Sequence, residues 1–519
     1  MITLPAALLQ AIPQTIPQGV DYVRILPELV LSAFGILVML LDALVDEEKN
    51  QKLLGVIALG GTVAGLLATW HMAQSPGLAF SNMVKVDGFS VFFHFLVIAI
   101  AAVVILSSFE YMAVQRIRAG EYYALILFSV VGMALMSSAV ELVLIFIALE
   151  ISSISTYILT GFRRNEASSS ESSLKYFLLG SFATAFFLYG VAMMFGATGS
   201  TNIAVISQKL QAGPVELLVY VAMAMMFVGL GFKVAAAPFH IWTPDVYEGA
   251  PAPIVGFMST APKAAAFAVL LRVVFTINAP GRFWLIWIAA ALSMTLGNVG
   301  ALVQTNIKRL LAYSSIAHAG YLLVAFAITN SDNSVAGISA AMFYAASYAA
   351  MNVGAFAVVS HFANAGERYV TLEDYEGLGR TSPLLAATLT IFLLSLIGIP
   401  MTGGFFAKFY VFSAAMKSNL IWLTLIGVVN SAIGAYYYLR IIVVMYMRES
   451  RKPVPVTPVP FGLGLALAVS IAATLYLGIL PDRVLQFAQQ SSRALIPQAL
   501  APVAATAPQT QPAAAIAGR

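Results

Sequence analysis

Long runs of apolar residues, separated by short polar stretches, extend from about residue 20 to residue 480. A membrane-spanning helix needs roughly 20 apolar residues, and most of the runs have about this length. The pattern therefore predicts an all-α polytopic membrane protein with about 14 transmembrane helices. The predicted spans cover residues 20–41, 53–72, 88–109, 121–140, 142–162, 173–196, 215–240, 251–277, 282–303, 309–330, 335–362, 382–416, 420–447 and 459–480.

Two of the predicted spans contain residues that break helices. The seventh includes GLGFKVAAAPFHIWTPDVYEGAP, in which Lys233 lies five residues before Pro238. The twelfth includes SLIGIPMTGGFFAKFYVF, in which Pro400 precedes Lys408. Because proline removes a backbone donor and clashes with the preceding turn, we expect both helices to break. Broken helices at membrane depth are tolerated only where they are buried in protein or line a hydrated cavity.

The two broken spans occupy matching positions in two consecutive five-span units, spans 4–8 and spans 9–13. Since five is odd, the second unit must be inserted upside down relative to the first, which is the inverted-repeat architecture of transporters. The prediction is an N-terminal three-helix extension, a first repeat, an inverted second repeat, a C-terminal span and a disordered Ala/Pro-rich tail. These parts cover, in that order, residues 1–120, 121–280, 281–447, 448–500 and 501–519.

The composition agrees with a membrane chain and excludes several kinds of site. Of the 519 residues, 60% are hydrophobic and 10% are charged, whereas soluble proteins contain roughly 25% charged residues. Cysteine is absent, which excludes disulfides, Cys-ligated iron–sulfur clusters and Cys-zinc sites. The five histidines are scattered without metal-ligand spacing, and no glycine-rich nucleotide motif is present. We therefore expect this chain to bind no cofactor and no metal.

Lysine and arginine are distributed unevenly between the loops. The loops after odd-numbered spans contain 13 positive charges, among them Arg163 and Lys308, and the other loops contain four. The positive-inside rule then puts the odd loops on the cytoplasmic side. With 14 spans, both termini are predicted on the opposite, lumenal or periplasmic, side.

Four ionisable residues are predicted to lie deep in the membrane: Glu150, Lys233, Lys263 and Lys408. Each would cost roughly 2.5–3.5 kcal/mol at the centre of a bilayer, so each must be paired, hydrated or neutral part of the time. A purely structural role in joining helices is the simplest alternative. Three lysines and a glutamate, two of them on broken helices, instead favour a proton relay, because a desolvated lysine can release its proton and arginine does not.

Two weaker candidates leave both interpretations open. Lys175 lies close to the start of a span and is either a relay member or an anchor whose ammonium group reaches the interface. His318 lies nine residues into span ten, where it either transfers protons between two lysines or packs as a core histidine.

Several stretches resemble a known family, the antiporter-like membrane subunits of respiratory complex I. They are LKYFLLG, GFKVAAAPFHIWTPDVYEGAP, NIKRLLAYSSIAHAGY and GIPMTGGFFAKFYVF. The WTPDVYEGAP segment and the number of spans are most similar to subunit 2, the NuoN/NdhB type. LTGFRRNEASSSESSLKYFLLG and YYYLRII are similar to its cyanobacterial and chloroplast version, in the NDH-1 complex. The resemblance covers about residues 20–480.

The resemblance implies a proton-translocating subunit of an NAD(P)H- or ferredoxin-quinone oxidoreductase. Electrons pass from a reduced donor, through iron–sulfur clusters, to a quinone in other membrane and peripheral subunits, which would be the partners of this chain; no nucleic acid is involved. The cyanobacterial version implies plastoquinone and the thylakoid membrane, with the bacterial plasma membrane as the alternative. The family's essential glutamate and lysines fall on five positions here. These are Glu150, Lys175, Lys233, Lys263 and Lys408. A histidine at the position of His318 is not universal in the family.

Two other functions fit the same pattern. A Mrp-type cation/proton antiporter subunit would have the same fold and broken helices, but it would move Na⁺ or K⁺ without an electron donor. A membrane scaffold would use its buried charges only to pair helices, and neutral isosteric substitutions would then leave turnover and pumping intact.

Overall fold

The structure, a computed structural model, describes residues 17–44, 51–115, 117, 120–277, 282–328, 331–363, 365–450 and 458–495. These parts of the chain are almost wholly helical. The α-helices are α1 Gly19–Arg24, α2 Leu26–Leu44, α3 Gln51–Met72, α4 Gly88–Gln115, α5 Gly120–Ser138, α6 Leu142–Thr160, α7 Ala167–Thr198, α8 Ile203–Ala212, α9 Leu217–Val234, α10 Trp242–Gly249, α11 Ala252–Ile277, α12 Arg282–Leu302, α13 Ile307–Phe326, α14 Ser331–Ala363, α15 Leu378–Thr381, α16 Pro383–Ile397, α17 Gly403–Lys417, α18 Ile421–Met447, α19 Phe461–Ile479 and α20 Asp482–Ser492. The tail predicted at 501–519 lies outside the described residues.

The predicted helical membrane fold is confirmed. Within the described ranges, 13 helices are long and apolar enough to cross a membrane. The predicted twelfth span is not among them, because it consists of the two 15-residue helices α16 and α17. Counted as one broken span, this pair brings the total to the expected 14. Helix α7 begins six residues before the predicted residue 173, because its Ser/Glu-rich first turns are helical although they are not apolar.

Both predicted helix breaks are present. Helix α9 ends at Val234, and Ala235 adopts a left-handed conformation (φ 58°) before a turn that contains Pro238. Helix α16 ends in the same way, with Gly398 left-handed at φ 95°, two residues before Pro400. A left-handed residue after the last turn is a common way for a helix to end, so proline and its neighbours act together at each break.

Helix α11 lies at the centre of the molecule. It is the most completely buried of the long helices in the described part, and it packs against α4, α5 and α14. Pro262 lies inside this helix, one residue before Lys263. Helices α13 and α14 are also largely buried, whereas α2, α7, α18 and α19 have apolar outer faces. The core therefore contains the last span of the first predicted repeat together with the second and third spans of the second.

Several short elements outside the spans, among them a hairpin and two helices, were not predicted. Strands β1 (Gly77–Ala79) and β2 (Val84–Val86) form an antiparallel hairpin between α3 and α4. Helix α8 lies between α7 and α9, and α20 follows the last span and packs against α14 and α4. These segments are too short or too polar to stand out in a search for apolar runs of about 20 residues.

Candidate functional site

Glu150 and Lys233 face the same part of the protein interior but form no direct ion pair. Glu150 lies in the middle of α6, and its buried Oε1 atom has no hydrogen-bond partner in the described part of the chain. Lys233 lies in the last turn of α9, where its Nζ atom is 3.4 Å from the Tyr157 hydroxyl. The carboxylate is nevertheless close enough to act electrostatically on the ammonium group. A small movement of either helix could therefore change this interaction strongly.

Aromatic rings surround the Lys233 ammonium group. Its Nζ atom lies 4.9 Å from the ring centre of Tyr157 and 5.3 Å from that of Tyr176. Tyr176 stacks on Trp242 at 4.5 Å, and the Trp242 Nε1–H donates to the carbonyl of Phe232 at 3.1 Å. Helix α10 is thereby tied to the last turn of α9 across the break. Cation–π contacts stabilise a buried cation without supplying a counter-charge.

Lys263 is buried on α11 and bonds to α13. Its Nζ atom donates to the Ser315 hydroxyl at 2.5 Å, and it lies 5.8 Å from the ring centre of Tyr247. Within the described residues, no carboxylate lies within ion-pair distance of Lys263. The ammonium group is therefore held by a neutral oxygen and an aromatic face.

His318 lies between two of the lysines. Its Nδ1 atom is 2.6 Å from the Tyr344 hydroxyl, and its Nε2 atom is 3.2 Å from the Tyr438 hydroxyl. His318 and Lys263 line one cavity of about 20 Å³, which is enough for about one water molecule. The ring also interacts electrostatically with both Lys263 and Lys408.

The Lys408 side chain lies at the second helix break and bonds to the end of α16. Its Nζ atom donates to the carbonyls of Leu396 (3.0 Å) and Ile397 (2.8 Å), and to the Ser431 hydroxyl at 2.9 Å. The two carbonyls belong to the last turn of α16, where the helix dipole favours a positive charge. The break thus supplies the acceptors that an unbroken helix would have used internally.

The buried residues form two groups. One contains Glu150 and Lys233, and the other contains Lys263, His318 and Lys408. Between Lys233 and Lys263 the described residues provide no continuous chain of hydrogen bonds, and aromatic side chains, including Trp242 and Tyr247, fill the space. Proton transfer between the groups would therefore need water or side-chain movement.

Lys175 lies outside both groups. Its side chain is 41% exposed and pairs with Glu171 at 2.7 Å and Asp245 at 2.9 Å. Asp245 also pairs with Arg309 at 2.7 Å, which ties α7, α10 and α13 together at the surface. This geometry favours the anchoring interpretation of Lys175 over a place in the buried relay.

Sequence reasoning missed a second buried charge cluster. In the sequence Lys308 and Arg163 are loop charges, but both side chains are buried and face Glu367, with N–O distances of 2.6 Å and 3.7 Å. The other Glu367 oxygen accepts from the Tyr111 hydroxyl and the Ala252 backbone N–H, both at 2.7 Å. No local pattern indicates this cluster, because Glu367 follows Lys308 by 59 residues. The cluster joins α4, α11, α13 and the connection after α6.

Comparison with known proteins agrees with this architecture. Residues 139–434 match the family model described as NADH:quinone oxidoreductase/Mrp antiporter, transmembrane. NADH-quinone oxidoreductase subunit N 2 of Koribacter versatilis is 66% identical over 485 residues, which are 92% of this chain and 98% of that protein. Subunit N of Trichlorobacter lovleyi is 45% identical over 482 residues, 91% of this chain and 97% of that protein.

Solved structures show the same fold. A chain of respiratory complex I from Thermus thermophilus, determined with bound aureothin, is 36% identical and superimposes with a TM-score of 0.76. The match covers 89% of this chain and 98% of that one. A chain of the Mrp complex from Dietzia is similar in fold, with a TM-score of 0.79 at 20% identity. That match covers 91% of this chain and 97% of the other.

Proposed function

Because the chain belongs to the family of NADH-quinone oxidoreductase subunit N proteins, we propose that it is the proton-translocating membrane subunit of a bacterial complex I. The observation that supports this best is the set of buried lysines on and beside the broken helices, none of which has a carboxylate of the described residues within ion-pair distance. Redox chemistry belongs to other subunits in this proposal, and this chain contributes proton movement.

The proposed relay runs from Glu150 to Lys408. Movement of Glu150 towards Lys233 favours the protonated lysine, and separation favours release of the proton, because an opposite charge stabilises the ammonium form. The proton then passes to Lys263, through His318 and water to Lys408, and on to the far side. Driving one proton against 100 mV costs about 2.3 kcal/mol, which a shift of roughly two pKa units in one relay lysine supplies.

The proposal also covers the type of membrane, the electron donor and the side on which the termini lie. The relatives' names support the bacterial enzyme and give no support to the cyanobacterial or chloroplast version, the thylakoid membrane or plastoquinone. We therefore propose the bacterial plasma membrane, NADH as the donor and both termini on the periplasmic side. The inverted repeats and the domain boundaries stay predictions.

The Mrp-type antiporter is the second candidate. The structural likeness to the Mrp complex supports it at the level of fold alone. The 66% identity to a subunit N protein over nearly the whole chain favours complex I. Cation flux without an electron donor would distinguish the antiporter.

The relay is tested by Lys233→Gln in the assembled complex, reconstituted in proteoliposomes. We expect NADH oxidation to continue while the number of protons pumped per NADH falls, since the buried lysine can no longer take up a proton. Glu150→Gln should act in the same direction. The matched control is Lys417→Gln, because Lys417 is an exposed lysine at the end of α17. Equal pumping ratios in Lys233→Gln and the control would contradict the relay.

A further inference from the structure

A second buried pair of ionisable side chains lies at one end of the bundle, away from the lysines. Glu28, in the first turn of α2, and His94, on α4, are 4% and 0% exposed. The Glu28 Oε1 atom lies 2.9 Å from the His94 Nε2 atom. The proposed relay uses neither residue. Burying such a pair costs free energy, so its presence suggests a function.

The hydrogen bonds of His94 fix its tautomer. Its Nδ1 atom lies 2.7 Å from the Ser90 carbonyl oxygen. A carbonyl oxygen only accepts, so the Nδ1 atom must hold a hydrogen. The Ser137 hydroxyl, 3.0 Å from Nδ1, has its own acceptor in the Ala134 carbonyl at 2.8 Å. The proton between Nε2 and Glu28 is therefore the one that can move: it lies either on a cationic His94 beside a carboxylate or on a neutral Glu28.

The other Glu28 oxygen, Oε2, is buried and has no hydrogen-bond partner among the described residues. Buried carboxyl oxygens are normally paired, so an unpaired one is a place where a proton or a water molecule can be bound. With the shared proton alone the Glu28–His94 pair has no net charge, and a proton on Oε2 would make it +1.

Fixed charges connect this pair to the relay helix. Arg272 donates from Nε and Nη2 to the Ser137 carbonyl, at 3.0 Å and 2.9 Å, and pairs with Asp87 at 3.0 Å. Arg272 follows Lys263 by nine residues on α11, a rise of about 13 Å. Asp87 in turn lies 3.4 Å from Lys85, whose side chain is 35% exposed. The charged groups therefore extend from the relay helix to the surface, past the Glu28–His94 pair.

Helices α2 and α4 begin close to these charged residues, and α5 and α11 end close to them. The whole cluster therefore lies at one end of the bundle. We infer that the Glu28–His94 pair is a proton-binding site at which protons moved by the lysines are held before release at this end, or are taken up there. This inference rests on the proposed function. The pair takes up one proton at Glu28 Oε2 and returns one to water, so that its charge alternates between 0 and +1.

The test is Glu28→Gln in the assembled complex, which keeps the side-chain shape and a hydrogen bond to His94. We expect the number of protons pumped per NADH to fall to the level of Lys233→Gln, and the double variant to fall no further, because both residues serve one path. A structural role would predict additive losses and a defect in assembly instead. The matched control is Glu141→Gln, since Glu141 lies at the same end and caps α6 through the Leu144 backbone N–H at 2.7 Å.

The outcomes separate this inference from the proposed function. If Glu28→Gln pumps like Glu141→Gln while Lys233→Gln is impaired, the inference is overturned and the relay stands. If Lys233→Gln also pumps like the control, the relay itself fails, and the inference with it. Should Glu28→Gln not assemble, His94→Gln provides the same test, since it removes the base that shares the proton.

Discussion

Replacing Glu367 with glutamine is expected to lower the free energy of unfolding by about 3–5 kcal/mol, the usual cost of leaving a buried charge without its partner. The side chains of Lys308 and Glu367 are 1% and 3% exposed, and Arg163 lies beside them with two nitrogens that no described residue hydrogen-bonds. Glutamine keeps the shape but leaves two buried cations without a carboxylate. The purified chain is kept in a mild detergent and titrated with a denaturing detergent, which measures the loss in the free energy of unfolding.

Glu373→Gln is the matched control for Glu367→Gln. Glu373 lies on the same connection, in the short 3₁₀-helix Leu372–Tyr375, and its side chain is exposed. We expect Glu373→Gln to change the free energy of unfolding by no more than about 0.5 kcal/mol, as for most surface substitutions. Equal effects of the two substitutions would show that the buried cluster does not stabilise the fold.

The Glu367 cluster also predicts how stability depends on pH. Burial raises the pKa of Glu367, but the Lys308 ammonium and the Arg163 guanidinium lower it by more, so the pKa lies below its ordinary value of 4.5. Because the folded-state pKa is the lower one, the stabilisation is complete above about pH 4.5 and is lost as the pH falls through the folded-state pKa. Glu367→Gln should therefore flatten the acid side of the stability profile.

Gly404→Ala is the second substitution with a large expected effect. A Cβ atom on Gly404 would lie 1.8 Å from the Ser395 carbonyl oxygen and 2.8 Å from its carbonyl carbon. Both are backbone atoms of α16, so the two half-helices would have to separate. We expect a loss of about 1–3 kcal/mol in stability. Proton pumping should fall as well, because Lys408 bonds to carbonyls of this same helix end.

Gly464→Ala is the control for this second substitution. Gly464 is a helical glycine in α19, and a Cβ atom there would lie 3.9 Å from its nearest neighbour, a side-chain carbon of Val459. Alanine there should raise stability by up to about 1 kcal/mol, since glycine is the poorer helix former. Denaturant titration and pumping ratios of both variants decide the matter: if Gly404→Ala behaves like Gly464→Ala, close contact of the half-helices is not required.

The features that the sequence predicted are those with a local cause. Apolar length predicted the spans, and Pro238 and Pro400 predicted the breaks, because a proline acts on its own helix. The mid-helix place of Glu150 followed from counting residues along one span. The relay roles of these residues stay predictions.

The features that were missed depend on pairs distant in the chain. Lys308 resembles any loop lysine until Glu367 is placed against it, and His94 resembles a lone histidine in an apolar run until Glu28 lies beside it. Their separations of 59 and 66 residues are invisible to any pattern within one helix. The partly exposed position of Lys175 likewise depends on Asp245, 70 residues away.

The burial of α11 has a consequence for how the protein is made. This helix contains Lys263, Arg272 and a proline, and each charge costs roughly 2.5–3.5 kcal/mol against lipid. Its neighbours α4 and α5 precede it in synthesis, but α14, which covers another face, begins 54 residues after α11 ends, counting Ile277 to Ser331. A nascent chain halted before α14 would therefore leave one face of α11 uncovered, and α11 should reach its final packing only after α14 has been made.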